Sequence, residues 1–128
     1  MKLLLDTHLL LWVAHTPDRI PKTAQDMIAS LDNEVYFSVV SLWEIVQKAQ
    51  LNRADFQVDA RVLRTALLKA GYVELCVNSQ HVFQLLSLPR IHEDPFDRLL
   101  ISQALSESML LLTMDALVAQ YPAPVRKF

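Results

Sequence analysis

The sequence reads as an α/β protein: a doubly wound parallel sheet with helices on both faces, folded as a single compact domain over residues 1–128. Three observations predict it. Short apolar runs alternate with segments of helical spacing along almost the whole chain, the pattern of strands joined by helical crossovers. The runs at residues 3–5 and 109–112 are apolar throughout, as in central strands covered on both sides. Hydrophobic residues make up 52% of the 128, enough for a substantial core in a chain of ordinary domain size.

Residues 3–5 form the first strand. Asp6 follows at once, ahead of an apolar helical run over residues 9–14 that Asp6 or Thr7 can cap. Pro17 and Asp18 mark a loop, and Pro21 suits the first position of a helix reaching about Leu31, with Met27, Ile28 and Leu31 as its stripe. Residues 35–40, β-branched and aromatic, are a buried strand. Ser41 and Glu44 then have capping-box spacing and open a helix that runs to about Leu51. Residues 52–57 are a loop. Residues 58–70 carry Val62, Leu63, Ala66 and Leu67 at helical spacing, and Gly71, the only glycine, stops that helix. Residues 72–77 are a strand in which Cys76, the only cysteine, packs as a small hydrophobe. Residues 79–88 are helical. Asp94 caps the next helix, with Pro95 at its first position and Asp97 at its third. A short helix follows Asp115 to about Tyr121, and residues 125–128 are a last edge strand.

Composition excludes several function classes. One glycine is too few for a P-loop or a dinucleotide-binding fingerprint. One cysteine allows neither an intrachain disulfide nor a cysteine-based zinc site. His8, His15, His81 and His92 form no metal-binding pair by spacing. The net charge of −2 provides no basic footprint for nucleic acid across the chain as a whole. Metal ions can nevertheless supply positive charge where phosphate binds. No run approaches the ~20 apolar residues that span a bilayer, and no signal peptide is evident, so the expectation is a cytoplasmic protein without a membrane partner.

Four acids carry the candidate chemistry. Asp6, Glu44, Asp97 and Asp115 each sit at or near a predicted helix start, and all but Asp97 follow a strand within a few residues. In a parallel sheet the strand C-termini share one edge, where ligands bind. Asp97 joins the others if its helix start packs against that edge. Two unit charges 4 Å apart repel by ~4 kcal/mol at an effective dielectric near 20. A helix N-terminus offsets only ~0.3–1 kcal/mol of this. A shared pocket therefore calls for divalent cations, and ligation by acids and water suits Mg²⁺ or Mn²⁺. The reaction class implied is metal-assisted phosphodiester hydrolysis. From spacing alone, four independently capped helices account for the same residues equally well.

Four motifs favour the shared pocket. Leu3-Leu4-Leu5-Asp6-Thr7-His8, Ser41-Leu42-Trp43-Glu44-Ile45, Asp94-Pro95-Phe96-Asp97-Arg98-Leu99-Leu100 and Leu111-Leu112-Thr113-Met114-Asp115 stand in the order and approximate spacing of the PIN-domain family. The sequence resembles that family from about Lys2 to Tyr121, and looks most like VapC-like toxins of type II toxin–antitoxin systems. The resemblance implies a PIN fold and an Mg²⁺- or Mn²⁺-dependent endoribonuclease that cleaves RNA by metal-activated water. It assigns catalytic and metal-binding roles to Asp6, Glu44, Asp97 and Asp115, and implies a homodimer and a small antitoxin partner. Apolar faces at residues 21–31 and 58–70 would supply the contacts. Met114 departs from the pattern, since such proteins often carry a basic or polar residue there.

Other residues have supporting roles with ordinary alternatives beside them. Thr7 and Ser41 orient carboxylates or cap helices, Thr113 positions Asp115, and Asp94 is a helix cap beside the acids. Arg98 contacts phosphate or pairs with Asp94. Lys48, Arg53, Arg61, Arg64 and Lys69 flank an RNA path or form a solvated face. Trp12 and Trp43 read as core. A haloacid-dehalogenase-like phosphatase would need an acid or hydroxyl where His8 stands, and a phosphoacceptor receiver domain would need an acid pair before the first helix. The remaining alternative is a catalytically inactive PIN-like RNA-binding or interaction protein.

Overall fold

Among the described residues, five strands form one parallel sheet in the order β3-β2-β1-β4-β5. They are β1 (Lys2–Leu5), β2 (Glu34–Ser38), β3 (Val73–Leu75), β4 (Leu110–Thr113) and β5 (Val125–Lys127). The helices are α1 (Thr7–His15), α2 (Lys22–Ala29), α3 (Val39–Gln50), α4 (Ala60–Lys69), α5 (Ser79–Gln84) and α6 (Pro95–Glu107). This computed structural model describes residues 1–51 and 58–128; the loop expected at residues 52–57, with Arg53, lies outside the described residues.

The leucine run of β1 explains the layering. Successive strand side chains point to opposite faces. Leu3 and Leu5 enter one core with Leu9 and Leu10 of α1, Ala24 of α2, Ile45 of α3, and Leu63 and Leu67 of α4. Leu4 enters the other, with Leu100, Ile101 and Ala104 of α6 and Leu111 of β4. A central strand with helices on both faces has no polar side, which is why its sequence does not alternate.

The topology also places the helix starts. The chain begins in the middle of the sheet at β1, steps outward to β2 and β3, then crosses to β4 and β5 on the other side. The crevice between β1 and β4 is thus the switch point at which crossovers part. A helix joining two parallel strands runs back against the strand direction. Its N-terminus therefore lies at the strands' C-terminal edge. This holds for α6, which delivers the chain to β4, so Asp94 and Asp97 arrive at the edge where Asp6 follows β1.

Several boundaries differ from the sequence reading, each for a local reason. The helix after β2 starts at Val39: Ser38 is its N-cap, accepting from the Val40 amide at 3.0 Å. The β-branched pair Val39 and Val40 favours strand by propensity, and tertiary packing overrides it by burying Val40 under α6. Ser41 and Glu44 consequently lie inside α3, and the expected capping box is absent. Pro21 occupies the N-cap position of α2, which ends at Ala29 and leaves Leu31 fully exposed. Gly71 does end α4, at φ +92, with Tyr72 N–H donating to the Leu67 carbonyl at 3.0 Å. The stretch after Asp115 is a single 3₁₀ turn, Val118–Gln120. Cys76 lies beyond the end of β3 and is exposed rather than packed. Ala24, Met27 and Ile28 of α2 and Leu63 and Leu67 of α4 turn inward to the first core, so these are not free partner surfaces; Val62, Ala66 and Leu68 of α4 stay exposed. Among the described residues no helix is long and apolar enough to cross a membrane.

Candidate functional site

The switch-point crevice opens into a cleft of about 410 Å³ lined by Asp6, Thr7, Glu44, Asp94, Asp97 and Asp115, together with His8, Trp12, Lys48 and Met114. All four acids singled out from sequence are there, from four separate segments.

Asp6 is held by both oxygens. Its Oδ1 accepts from the Leu9 amide at 2.9 Å as the α1 N-cap, and its Oδ2 accepts from the Thr113 hydroxyl at 2.5 Å. The bond from Thr113 joins the ends of β1 and β4 across the crevice. Burial pushes the Asp6 carboxyl above its ordinary value; the Leu9 and Thr113 bonds oppose the shift, and the charge of Glu44 adds to it. Thr113 was expected to position Asp115, and it does that too, since the Asp115 amide donates to its hydroxyl oxygen at 3.0 Å. Asp115 itself is exposed at the rim, its Oδ1 accepting from the Leu117 amide at 2.7 Å.

Glu44 is buried on α3, and its Oε1 has no hydrogen-bond partner among the described residues. Its Oε2 lies 2.9 Å from Lys48 Nζ, one turn further along the helix. A buried carboxylate oxygen without a donor costs stability unless something positive meets it. Thr7 donates to Ser41 at 2.9 Å, so these two hydroxyls lock the start of α1 to α3 rather than cap either helix.

Asp97 sits at the α6 start, where Asp94 caps the helix by accepting from the Phe96 and Asp97 amides at 2.9 and 3.1 Å. Burial raises the Asp97 carboxyl to about 6; a hydrogen bond from His92 opposes this, while the charges of Asp94 and Glu44 reinforce it. The His92 contact, at 3.1 Å from Nε2 to Oδ2, was not foreseen from the sequence, and neither was Tyr121, 2.7 Å from the other ring nitrogen. Residues 29 positions apart give no spacing signal. Lys48 was legible in principle, because Glu44 and Lys48 have i,i+4 spacing.

Other expected roles are corrected. Arg98 neither pairs with Asp94 nor lines the cleft; its Nη1 donates to the Pro89 carbonyl at 2.9 Å and to the Tyr121 hydroxyl at 3.0 Å. Arg61 and Arg64 also stay outside the cleft, in contact with Asp59 and Glu74. Trp12 is only partly in the core: it borders the cleft, edge-on to His8. Trp43 is half-exposed and packs edge-on against Phe96.

The residues suit a hard divalent cation of the Mg²⁺ or Mn²⁺ kind. The acids and Thr7 offer carboxylate and hydroxyl oxygens, with the His8 imidazole the one nitrogen ligand in the lining; one buried carboxylate oxygen has no partner among the described residues, and the acids raise one another's proton affinity. Among the described residues no three acidic, imidazole or thiol groups stand as a closed cage. The expected four-acid ligand set is therefore not preassembled. Repulsion keeps bare carboxylates apart, and Mg²⁺ commonly binds through one or two of them and keeps its waters.

Comparison with curated proteins found no match. Among solved structures, the fold resembles a chain of the VapBC2 structure from Rickettsia felis, solved bound to a promoter DNA fragment, with a TM-score of 0.74, 14% identity, and 100% and 99% of the two chains covered. It also resembles a chain of the DNA-bound VapBC structure from Salmonella typhimurium, with a TM-score of 0.69, 13% identity, and coverage of 99% and 98%. A third is a VapBC-5 toxin–antitoxin structure from Mycobacterium tuberculosis, with a TM-score of 0.59, 22% identity, and coverage of 99% and 97%. At these identities the likeness is one of fold. The PIN domain family model matches the sequence itself over residues 3–123, from the first residues of β1 to beyond the last acid of the cleft, and the chain belongs to that family.

Proposed function

We propose that this protein is a divalent-metal-dependent endoribonuclease and the toxin of a type II toxin–antitoxin pair, acting in the cytoplasm. The observation that carries the reading is the unpartnered, buried Glu44 oxygen in a cleft that four other carboxylates share. Once Ser38 is the α3 cap, Glu44 has no capping role left; Lys48 meets its Oε2, and its buried Oε1 has no partner among the described residues. Asp6, Glu44 and Asp97 would hold the cation, with Asp115 contributing from the rim. A bound divalent cation supplies Lewis acidity toward a phosphodiester and its attacking water. Thr113 keeps the Asp6 carboxylate facing the crevice, and Lys48 offsets part of the negative charge that would repel an RNA backbone. The likeness to VapBC chains supports a small antitoxin as partner; a homodimer as the working form is proposed from the family resemblance of the sequence alone.

The test is cleavage of RNA by the purified protein. Cleavage should need Mg²⁺ or Mn²⁺, stop with EDTA, and be lost in Asp6→Asn and Glu44→Gln chains that keep the wild-type circular dichroism. RNA bound but uncut under every metal condition would instead support the inactive PIN-like binding protein. Cleavage at the wild-type rate by Asp6→Asn would overturn the acid-cluster mechanism.

A further inference from the structure

A line of hydrogen bonds reaches Asp97 from outside the cleft, and the donors in it leave little choice about where each hydrogen lies. The Tyr121 hydroxyl, on a residue that is 4% exposed, meets four groups. They are Arg98 Nη1 at 3.0 Å, the His92 amide at 3.2 Å, His92 Nδ1 at 2.7 Å and the His92 carbonyl at 3.3 Å. A hydroxyl has one hydrogen and accepts two. The guanidinium and the amide can only donate, so they take both acceptor places. The phenolic hydrogen is left for His92, and Nδ1 is the nearer acceptor. An Nδ1 that accepts puts the ring hydrogen on Nε2, where it points at Asp97 Oδ2, 3.1 Å away.

We infer that Arg98, Tyr121 and His92 form a directed hydrogen-bond chain that holds His92 as its Nε2–H tautomer and orients the Asp97 carboxylate for cation binding. His92 and Tyr121 are then positioning residues of the cleft, a role that rests on the nuclease reading above. The chemistry suits the task. Asp97 lies among the like charges of Asp94 and Glu44, which push its carboxylate away from them. A neutral N–H restrains one oxygen without competing for the site as a lysine or arginine would. Arg98 is anchored on the Pro89 carbonyl and acts at a distance, through the phenol. Outer partners of this kind are worth roughly 10–100-fold in metal affinity.

Two measurements test it. Imidazole ¹⁵N spectra of the metal-free protein, taken above the ordinary imidazole range, should show His92 as a single Nε2–H tautomer in the wild type. In Tyr121→Phe the same ring should become a tautomer mixture. Calorimetric Mn²⁺ binding should weaken about tenfold in His92→Leu. It should be largely restored in His92→Gln, whose amide keeps a donor facing Asp97. A wild-type His92 with its hydrogen on Nδ1 overturns the proposal, as does a folded His92→Leu chain that binds Mn²⁺ like the wild type. Absence of any Mn²⁺ site in the wild type overturns the nuclease reading instead, and with it the purpose of the chain. The tautomer spectrum distinguishes the two failures because it needs no metal.

Discussion

Asp97 shows at the residue scale how a binding site can oppose folding. Burial, reinforced by Asp94 and Glu44, raises its carboxyl to about 6, against ~3.9 for an unfolded aspartate. Between these values the folded chain holds a proton that the unfolded chain has released. The contribution is therefore fully present below about pH 4 and is lost as pH rises through about 6, an effect of ~3 kcal/mol. In EDTA, urea unfolding from pH 4 to 7 should show the wild type losing stability relative to Asp97→Asn, which has no proton to lose. Mg²⁺ or Mn²⁺ should offset most of that loss near pH 7, stabilising the wild type by ~2.7 kcal/mol at 100 times the dissociation constant and the variant much less. If Asp97→Asn is the less stable chain at pH 7 both with and without metal, Asp97 is a structural residue and not a member of a charged pocket.

At the scale of elements, the start of α3 decides what Glu44 can do. Ser38 caps the helix and also donates to Gln103 Oε1 of α6 at 2.5 Å, while Gln103 Nε2 lies 3.3 Å from the buried His81 of α5. One hydroxyl thus ends β2, begins α3 and ties both to the opposite helical layer. Ser38→Ala should cost about 1–3 kcal/mol in urea unfolding, because it removes a cap and leaves a buried amide oxygen unpaired. The loss should be the same with and without metal, unlike that of the cleft acids. A change below ~0.5 kcal/mol would mean that α3 starts elsewhere, and that the capping role of Ser41 and Glu44 must be reconsidered.

The whole molecule carries a net charge of −2 and concentrates several of its acids in one cleft, so under the proposed nuclease function contact with RNA would depend on the cation more than on protein charge. The toxin reading makes a cellular prediction. Expression of the chain alone should arrest growth, expression of Asp6→Asn should not, and co-expression of a cognate small antitoxin should relieve the arrest and co-purify with the chain. Growth unaffected by the wild type, with RNA cleavage intact in vitro, would remove the toxin role and leave the nuclease.

Most of the architecture was legible because it rests on local periodicity. Apolar strands, caps at Asp6 and Asp94, the glycine stop at Gly71 and the helical stripes are properties of neighbouring residues. The parallel sheet follows from their alternation. The four acids were legible as candidates for the same reason, each standing at an element boundary. Sequence could not separate four caps from one pocket, because that depends on strand order and on which way α6 runs. Only the fold brings Asp97 to the edge beside Asp6. Only packing moves the start of α3 back to Ser38 and removes the capping role from Glu44. The bonds from Thr113 to Asp6, from Thr7 to Ser41 and from Tyr121 through His92 to Asp97 span 107, 34 and up to 29 residues. No local pattern encodes such contacts. They form when separate segments are buried against one another and each buried polar group must find a partner.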